Sequence, residues 1–294
     1  MELSYSDTGQ GNVVVLLHGF CESRALWNDF ENFLSQKYRV ICPDLPGYGQ
    51  SRLEVSNVSM AYFAEEIKRL LDSLSIDQCT MIGHSLGGYV TLAFAEKHPH
   101  RLKGIGLFHS TAYADTELKK ANRNKTIKFI EENGVDTFAS SFVPPLFDHS
   151  TREKYGDEIN YLIKVAKNTD PLAVIETSKA MRDRPDRTSV LEGIQVPVMF
   201  IIGKEDGAVP FESSMKQVGM PKESVVHIYE KCGHMGMIEK KEETMKAVNS
   251  FLEYCNLLLY MTCHLSRVKN LSIVETNFRY HRFFASLRMT HVSN

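Results

Sequence analysis

The octapeptide Met81-Ile-Gly-His-Ser-Leu-Gly-Gly88 follows an apolar run and precedes an apolar helical stretch. Its serine, Ser85, stands between Gly83 and Gly87. Small neighbours suit any sharp turn, and they also suit a strained turn that lifts a hydroxyl above a sheet. Gly83 to Gly87 satisfies G-x-S-x-G between a predicted strand and a predicted helix, the setting that a nucleophilic serine requires. The rest of the chain decides between the two readings.

Upstream, Asn12-Val-Val-Val-Leu-Leu17 is a continuous β-branched run closed by His18-Gly19, the form of a strand covered on both faces. Ser23 then stands where a helix cap is expected, before apolar positions Leu26, Trp27, Phe30, Phe33 and Leu34 at helical spacing. Tyr38 to Cys42 reads as a strand, Met60 to Leu74 as an amphipathic helix and Cys79 to Ile82 as the strand before the octapeptide. Gly88 to Glu96 reads as a helix, and Gly104 to Phe108 as another strand. Strand and helix in strict turn predict a mostly parallel, doubly wound α/β sheet.

From residue 111 to 187 this rhythm stops. Charge-rich helical segments are expected at Asp115 to Glu132, Gly134 to Phe142, Thr151 to Lys167 and Pro171 to Met181, a helical insertion. Its Phe138, Phe142, Leu146, Phe147 and Tyr161 offer apolar walls for a substrate pocket, or equally a core of the insertion itself. The run Arg182-Asp-Arg-Pro-Asp-Arg187 reads as a solvated connection back to the sheet. Strands resume at Pro197 to Ile202 and Val225 to Tyr229, and a last helix carries Met245, Val248, Phe251 and Leu252 on one face. The expected organisation is a core of 1–110, a helical insertion of 111–187, the second part of the core at 188–254, and a tail at 255–294. The tail sets Arg267, Lys269, Arg279, Arg282 and Arg288 against Glu275 alone, and reads as an appendage outside the domain.

Composition narrows the function. A hydrophobic fraction of 43% suffices for a large core, and a net charge of −2 with no basic cluster in the body disfavours nucleic acid as partner. The first residues lack a charged and apolar leader, and no run nears the ~20 apolar residues of a membrane span, so a cytoplasmic protein is expected. The six cysteines, Cys21, Cys42, Cys79, Cys232, Cys255 and Cys263, lack metal-site or redox spacing and read as reduced thiols.

A serine hydroxyl needs a histidine base and an acid that fixes the imidazole tautomer. In this layout the chain order is serine, acid, histidine. Asp206 follows the strand ending at Ile202, and His234 follows the strand ending at Tyr229. Each alone is explained as a helix cap or a turn; their order and register with Ser85 favour catalysis. Glu205 is the rival acid. The oxyanion of acyl transfer needs donors, and the backbone N–H groups of Leu86 and Phe20 are the expected pair.

These segments resemble the α/β-hydrolase superfamily over Leu3 to Tyr254: His18-Gly19-Phe20, Asp44-Leu-Pro-Gly-Tyr-Gly-Gln-Ser51, Gly83-His-Ser-Leu-Gly87, Gly203-Lys-Glu-Asp206 and Gly233-His234 fall in the family's order. The resemblance implies the triad Ser85, Asp206 and His234, no metal and no organic cofactor. It also implies a helical lid inserted after the sixth family strand. A single strand near Leu3 to Ser6 precedes the one leading to His18-Gly19, so a shortened family sheet is expected. Serine at the nucleophile position argues against dehalogenase and epoxide hydrolase chemistry. The segments around Phe20 and Asp206 resemble esterases and enol-lactonases, which implies hydrolysis of a small-molecule carboxylic ester or lactone by a monomer or homodimer. C–C bond hydrolysis, hydroxynitrile cleavage, the elimination step of menaquinone synthesis and a ligand-binding receptor are the alternatives on the same scaffold.

Overall fold

Strand β4 (Cys79–His84), buried along its whole length, is the middle strand of a seven-stranded sheet. The computed structural model describes residues 2–268. Its other strands are β1 (Tyr5–Thr8), β2 (Val13–Leu17), β3 (Arg39–Pro43), β5 (Leu102–Phe108), β6 (Val198–Gly203) and β7 (Ser224–Tyr229), in the order β1-β3-β2-β4-β5-β6-β7. Only β1 is antiparallel to its neighbour; all other pairings are parallel. The expected α/β sheet is therefore present, with one strand before the His18-Gly19 strand. Parallel order aligns the C-terminal ends of β2, β4, β5, β6 and β7, where ligands bind in open α/β sheets.

The intervening helices are α1 (Asn28–Leu34), α2 (Met60–Ser73), α3 (Leu86–Lys97), α4 (Glu117–Phe142), α5 (Gly156–Lys167), α6 (Pro171–Arg182), α7 (Thr188–Gly193), α8 (Phe211–Gln217), α9 (Gly236–Glu239) and α10 (Lys241–Val268). Ser59 caps α2 by accepting from the Tyr62 amide at 3.1 Å. Ser23 precedes a short 3-10 turn rather than α1, and its side chain makes no capping bond. Phe108, at the end of β5, packs edge-on against Trp27 (5.6 Å) and Phe30 (6.2 Å), contacts worth about 1 kcal/mol each beyond simple burial.

Between β5 and α7 the chain is helical, as expected. The break anticipated near residue 133 lies inside α4, where Gly134 adopts φ +78° with open space around it. Glycine is required there by backbone conformation rather than by crowding. The connection back to the sheet differs from expectation. Arg184 and Arg187 are buried, because Asp115 neutralises the first at 2.7 Å and Glu96 the second at 3.1 Å. Arg184 also donates to the carbonyls of Tyr113 (2.9 Å) and Met181 (2.7 Å) and lies 3.9 Å over the Tyr89 ring. One guanidinium thus ties the entry of the helical segment to its exit.

The contacts divide the chain between Asn256 and Leu257, and α10 continues to Val268. The part of the expected basic tail beyond Val268 lies outside the described residues. Cys21, Cys42, Cys79, Cys232 and Cys255 are buried and free.

The crossing of β4 and α3 sets a sharp steric test. A methyl group at Gly83 would lie 2.1 Å from the Gly87 carbonyl carbon. We expect Gly83→Ala to lose about 3 kcal/mol or more in urea unfolding. Gly193→Ala, in the open at the end of α7, should be neutral or stabilising by about 0.5 kcal/mol.

Candidate active site

Ser85 links β4 to α3 with φ +49° and ψ −110°, a conformation that L-residues adopt only under constraint. Its amide donates to the Phe108 carbonyl (3.0 Å). Its carbonyl accepts from the Gly88 amide (3.0 Å) and the Ser110 hydroxyl (2.8 Å). The backbone is pinned on both sides, while the Ser85 hydroxyl is half-buried and makes no hydrogen bond among the described residues. Leu86 opens α3, so its N–H has no partner within the helix and points from the positive end of the helix dipole.

The loop after β2 passes close above this turn. A methyl at Gly87 would lie 2.4 Å from the Leu17 carbonyl oxygen. The Phe20 N–H on this loop has no hydrogen-bond partner among the described residues. His18 accepts from the Leu45 amide at Nε2 (3.0 Å), so its Nδ1–H donates to the Gly19 carbonyl (2.8 Å); burial lowers its pKa. It acts as a brace for the loop. Asp44 braces the next one, accepting from the amides of Arg24 (2.8 Å) and Gln50 (3.0 Å).

Asp206 and His234 come together. His234 Nδ1 lies 2.9 Å from one Asp206 oxygen and 3.0 Å from the other, and Asp206 Oδ1 also accepts from the amides of Ala208 (2.9 Å) and Val209 (2.8 Å). Burial alone would raise the Asp206 pKa. The charge of His234 and the hydrogen bonds from His109 and His234 outweigh it and hold the carboxyl well below the usual carboxylate range. The same pairing raises the His234 pKa against the effect of burial. The rival, Glu205, accepts from the Cys232 amide instead (2.9 Å).

His234 is also placed relative to the serine turn. Its carbonyl oxygen is 3.0 Å from Nε2 of His84, the residue before Ser85, and the two rings are 4.9 Å apart. The other His84 nitrogen lies 3.0 Å from the buried Glu22 carboxylate, which also accepts from the Gly19 amide at 2.5 Å. Burial would raise the Glu22 pKa, but the charge and hydrogen bond of His84 bring it below its ordinary value. Glu22 and His84 thereby join the loop after β2, the serine turn and the His234 loop. Glu239 performs a similar service from α9, accepting from the amides of Gly233 (3.0 Å), Met235 (3.1 Å) and Asp148 (2.8 Å) while burial raises its pKa.

Sequence reasoning missed Glu22, Glu239 and His109. His109 directly follows β5 and places Nδ1 3.0 Å from Asp206 Oδ2. The available signal was position alone: a polar residue just past the C-terminal end of a central strand. Donor atoms of His109, Asp206 and His234 lie within 4.8 Å of one another, a spacing that suits a metal. Here those atoms are engaged with each other and with backbone amides.

Of the expected pocket residues, Phe138 and Phe142 stack at 4.9 Å and both meet the Phe20 ring edge-on, at 6.3 and 5.7 Å. The Leu146 carbonyl accepts from the His234 amide at 2.6 Å, and Phe147 is buried against Tyr155. Tyr161 differs: on α5 it is 50% exposed and has no ring partner among the described residues. The helical turn that carries it directs it to solvent.

A family described as alpha/beta hydrolase fold matches residues 12–115. The chain is 25% identical to 2-hydroxy-6-oxo-2,4-heptadienoate hydrolase of Pseudomonas putida, covering 86% of this chain and 93% of that protein. It is 27% identical to a 2-hydroxy-6-oxononadienedioate/2-hydroxy-6-oxononatrienedioate hydrolase, also of Pseudomonas putida, over 86% and 92%. Among solved structures, a thermophilic esterase from Thermogutta terrifontis superposes with a TM-score of 0.82 at 28% identity, over 86% of this chain and 93% of that one. With a parallel sheet, a serine turn after its middle strand and these likenesses, the chain has the α/β-hydrolase fold.

Proposed function

We propose that the protein is a serine hydrolase of small-molecule carboxylic esters or lactones, with Ser85 as nucleophile, His234 as general base and Asp206 as its orienting acid. The Asp206–His234 pair, set beside the turn of a strained serine whose hydroxyl makes no hydrogen bond among the described residues, carries this reading. With Nδ1–H donating to Asp206, His234 presents its Nε2 lone pair as the base. Ser85 Oγ attacks the carbonyl carbon as its proton passes to Nε2. The resulting oxyanion takes hydrogen bonds from the Leu86 and Phe20 amides, each worth about 3 kcal/mol in the transition state. His234 then protonates the departing alkoxide, leaving an acyl-serine. A water that gives its proton to the same nitrogen releases the acid and restores Ser85.

The Phe20, Phe138 and Phe142 rings suit an apolar acyl or alkyl group. The similarity to the Thermogutta terrifontis esterase agrees with an ester substrate. The names of the curated relatives favour a second reading, hydrolysis of a C–C bond in a 2-hydroxy-6-oxo-dienoate. Such a substrate carries a carboxylate that calls for a cation, whereas Arg184 and Arg187, the buried arginines among the described residues, are committed to Asp115 and Glu96. The ester reading is therefore preferred.

A fluorophosphonate probe should label Ser85, and Ser85→Ala should lose at least about a thousandfold in kcat/KM across an ester and lactone panel. Wild-type turnover by that variant would defeat the proposal, while cleavage of a 2-hydroxy-6-oxo-dienoate without ester hydrolysis would transfer it to the second reading.

The pH dependence has a fixed sign. Protonated His234 is inactive as a base, and its pKa is raised, so kcat/KM should fall with acid through one ionisation above the usual histidine value of about 6.5. In Asp206→Asn the residual activity should keep its acid limb at lower pH, because the charge that raises the His234 pKa is gone.

A further inference from the structure

His109 is a buried imidazole at the site to which the reaction above gives no task. Phe108 anchors it from one side through Trp27 and Phe30, and its own amide donates to the Ile201 carbonyl of β6 at 2.9 Å. That strand leads directly into the Asp206 loop. At φ +49° the residue is held in the left-handed region, which turns its ring toward the sheet's C-terminal end.

The tautomer of His109 follows from its partners. The Gly236 amide donates to Nε2 at 3.2 Å, so that nitrogen carries a lone pair and the ring proton is on Nδ1. Nδ1–H then donates to Asp206 Oδ2 at 3.0 Å. Gly236 opens α9, two residues after His234, and a methyl there would lie 2.4 Å from His109 Nε2. One ring thus reaches the loop of the acid and the loop of the base, and glycine at 236 admits it.

We propose that His109 is a positioning residue that locks Asp206 and the His234 loop in register, a role that rests on the serine hydrolase reading. The amides of Ala208 and Val209 hold Oδ1 of Asp206, and His109 is what fixes Oδ2 apart from His234 itself. Without it the carboxylate is anchored along one edge, and the imidazole of His234 loses a fixed direction for Nε2.

The electrostatic consequence separates this role from simple packing. The groups facing His234 are Asp206 from the loop after β6, His109 after β5, His84 and Glu22 from the serine turn and the loop after β2, and Glu239 from α9. Burial pushes the His109 pKa down to about 4, so across the working range it meets Asp206 as a neutral N–H dipole. That dipole withdraws part of the carboxylate charge that His234 feels. Its removal strengthens the hold of Asp206 on a protonated His234, and the acid limb of kcat/KM moves to higher pH.

The test compares His109→Leu, which fills the space without a donor, with His109→Asn, whose amide nitrogen reproduces the Nδ1 donor and tolerates the left-handed backbone. His109→Leu should lose about tenfold or more in kcat with little change in KM, and its acid limb should rise by about half a pH unit. His109→Asn should return the limb to its wild-type position while recovering only part of kcat, since the Gly236 bond stays broken. Unchanged kcat and an unshifted limb in His109→Leu would overturn the proposal, as would a shifted limb in His109→Asn. The wild-type protein supplies a measurement that needs no variant. Its His109 ring should appear by 15N NMR as the neutral Nδ1–H tautomer at pH 5, and an Nε2–H tautomer or a charged ring there would also overturn it. Labelling of wild-type Ser85 by the fluorophosphonate, run alongside, distinguishes failure of this role from failure of the hydrolase reading.

Discussion

The closest constraint in the molecule is the crossing of β4 over the start of α3. Gly83 faces Gly87 and Gly88, and Gly87 faces the Leu17 and His18 carbonyls, at distances that exclude any side-chain carbon. Because the backbones meet there, Ser85 must turn through a left-handed conformation, and the loop after β2 must lie directly above it. The Ser85 turn and the placement of both expected oxyanion donors are consequences of one steric contact. The strain at Ser85 persists because the bond its amide donates to β5 and the bond its carbonyl accepts from Ser110 fix its backbone on either side.

A second principle organises the loops around that contact. Buried carboxylates collect backbone amides: Glu22 takes Gly19, Asp206 takes Ala208 and Val209, and Glu239 takes Gly233, Met235 and Asp148. Each is costly to bury unpaired and inexpensive once several donors converge on it. Together with His84 and His109 they connect the C-terminal ends of β2, β4, β5, β6 and β7 into one polar layer above the apolar sheet. The layer is rigid through directional bonds, whereas the sheet beneath it is rigid through packing.

Local signals made much of this legible before any coordinates. The strands can be read because β-branched runs sit between turns, and the serine turn because its glycines and serine lie within one pentapeptide. Asp206 and His234 were found from their place after strands, and they do approach each other. Glu22, His109 and Glu239 escaped because their partners are remote in sequence or are backbone amides, which leave no pattern in side-chain order. Arg184 and Arg187 looked solvated because charge next to proline usually is; their counter-ions, Asp115 and Glu96, lie far away along the chain. Tyr161 stands apart from the other expected wall residues, because the helical face that carries it is exposed.

The bond from the His234 amide to the Leu146 carbonyl has a meaning for how far the helical segment is independent of the sheet domain. The helical segment between β5 and α7 contributes no strand to the sheet, so the sheet's register places no demand on it. Yet the main-chain acceptor for the His234 amide comes from that segment, and so does the Asp148 amide held by Glu239. Replacement of the whole segment would therefore remove part of the support of the His234 loop along with the Phe138 and Phe142 rings. Leu146 to Asp148 is the short stretch through which the segment is bound to the loop of His234, and these bonds do not reach the helices on either side of it.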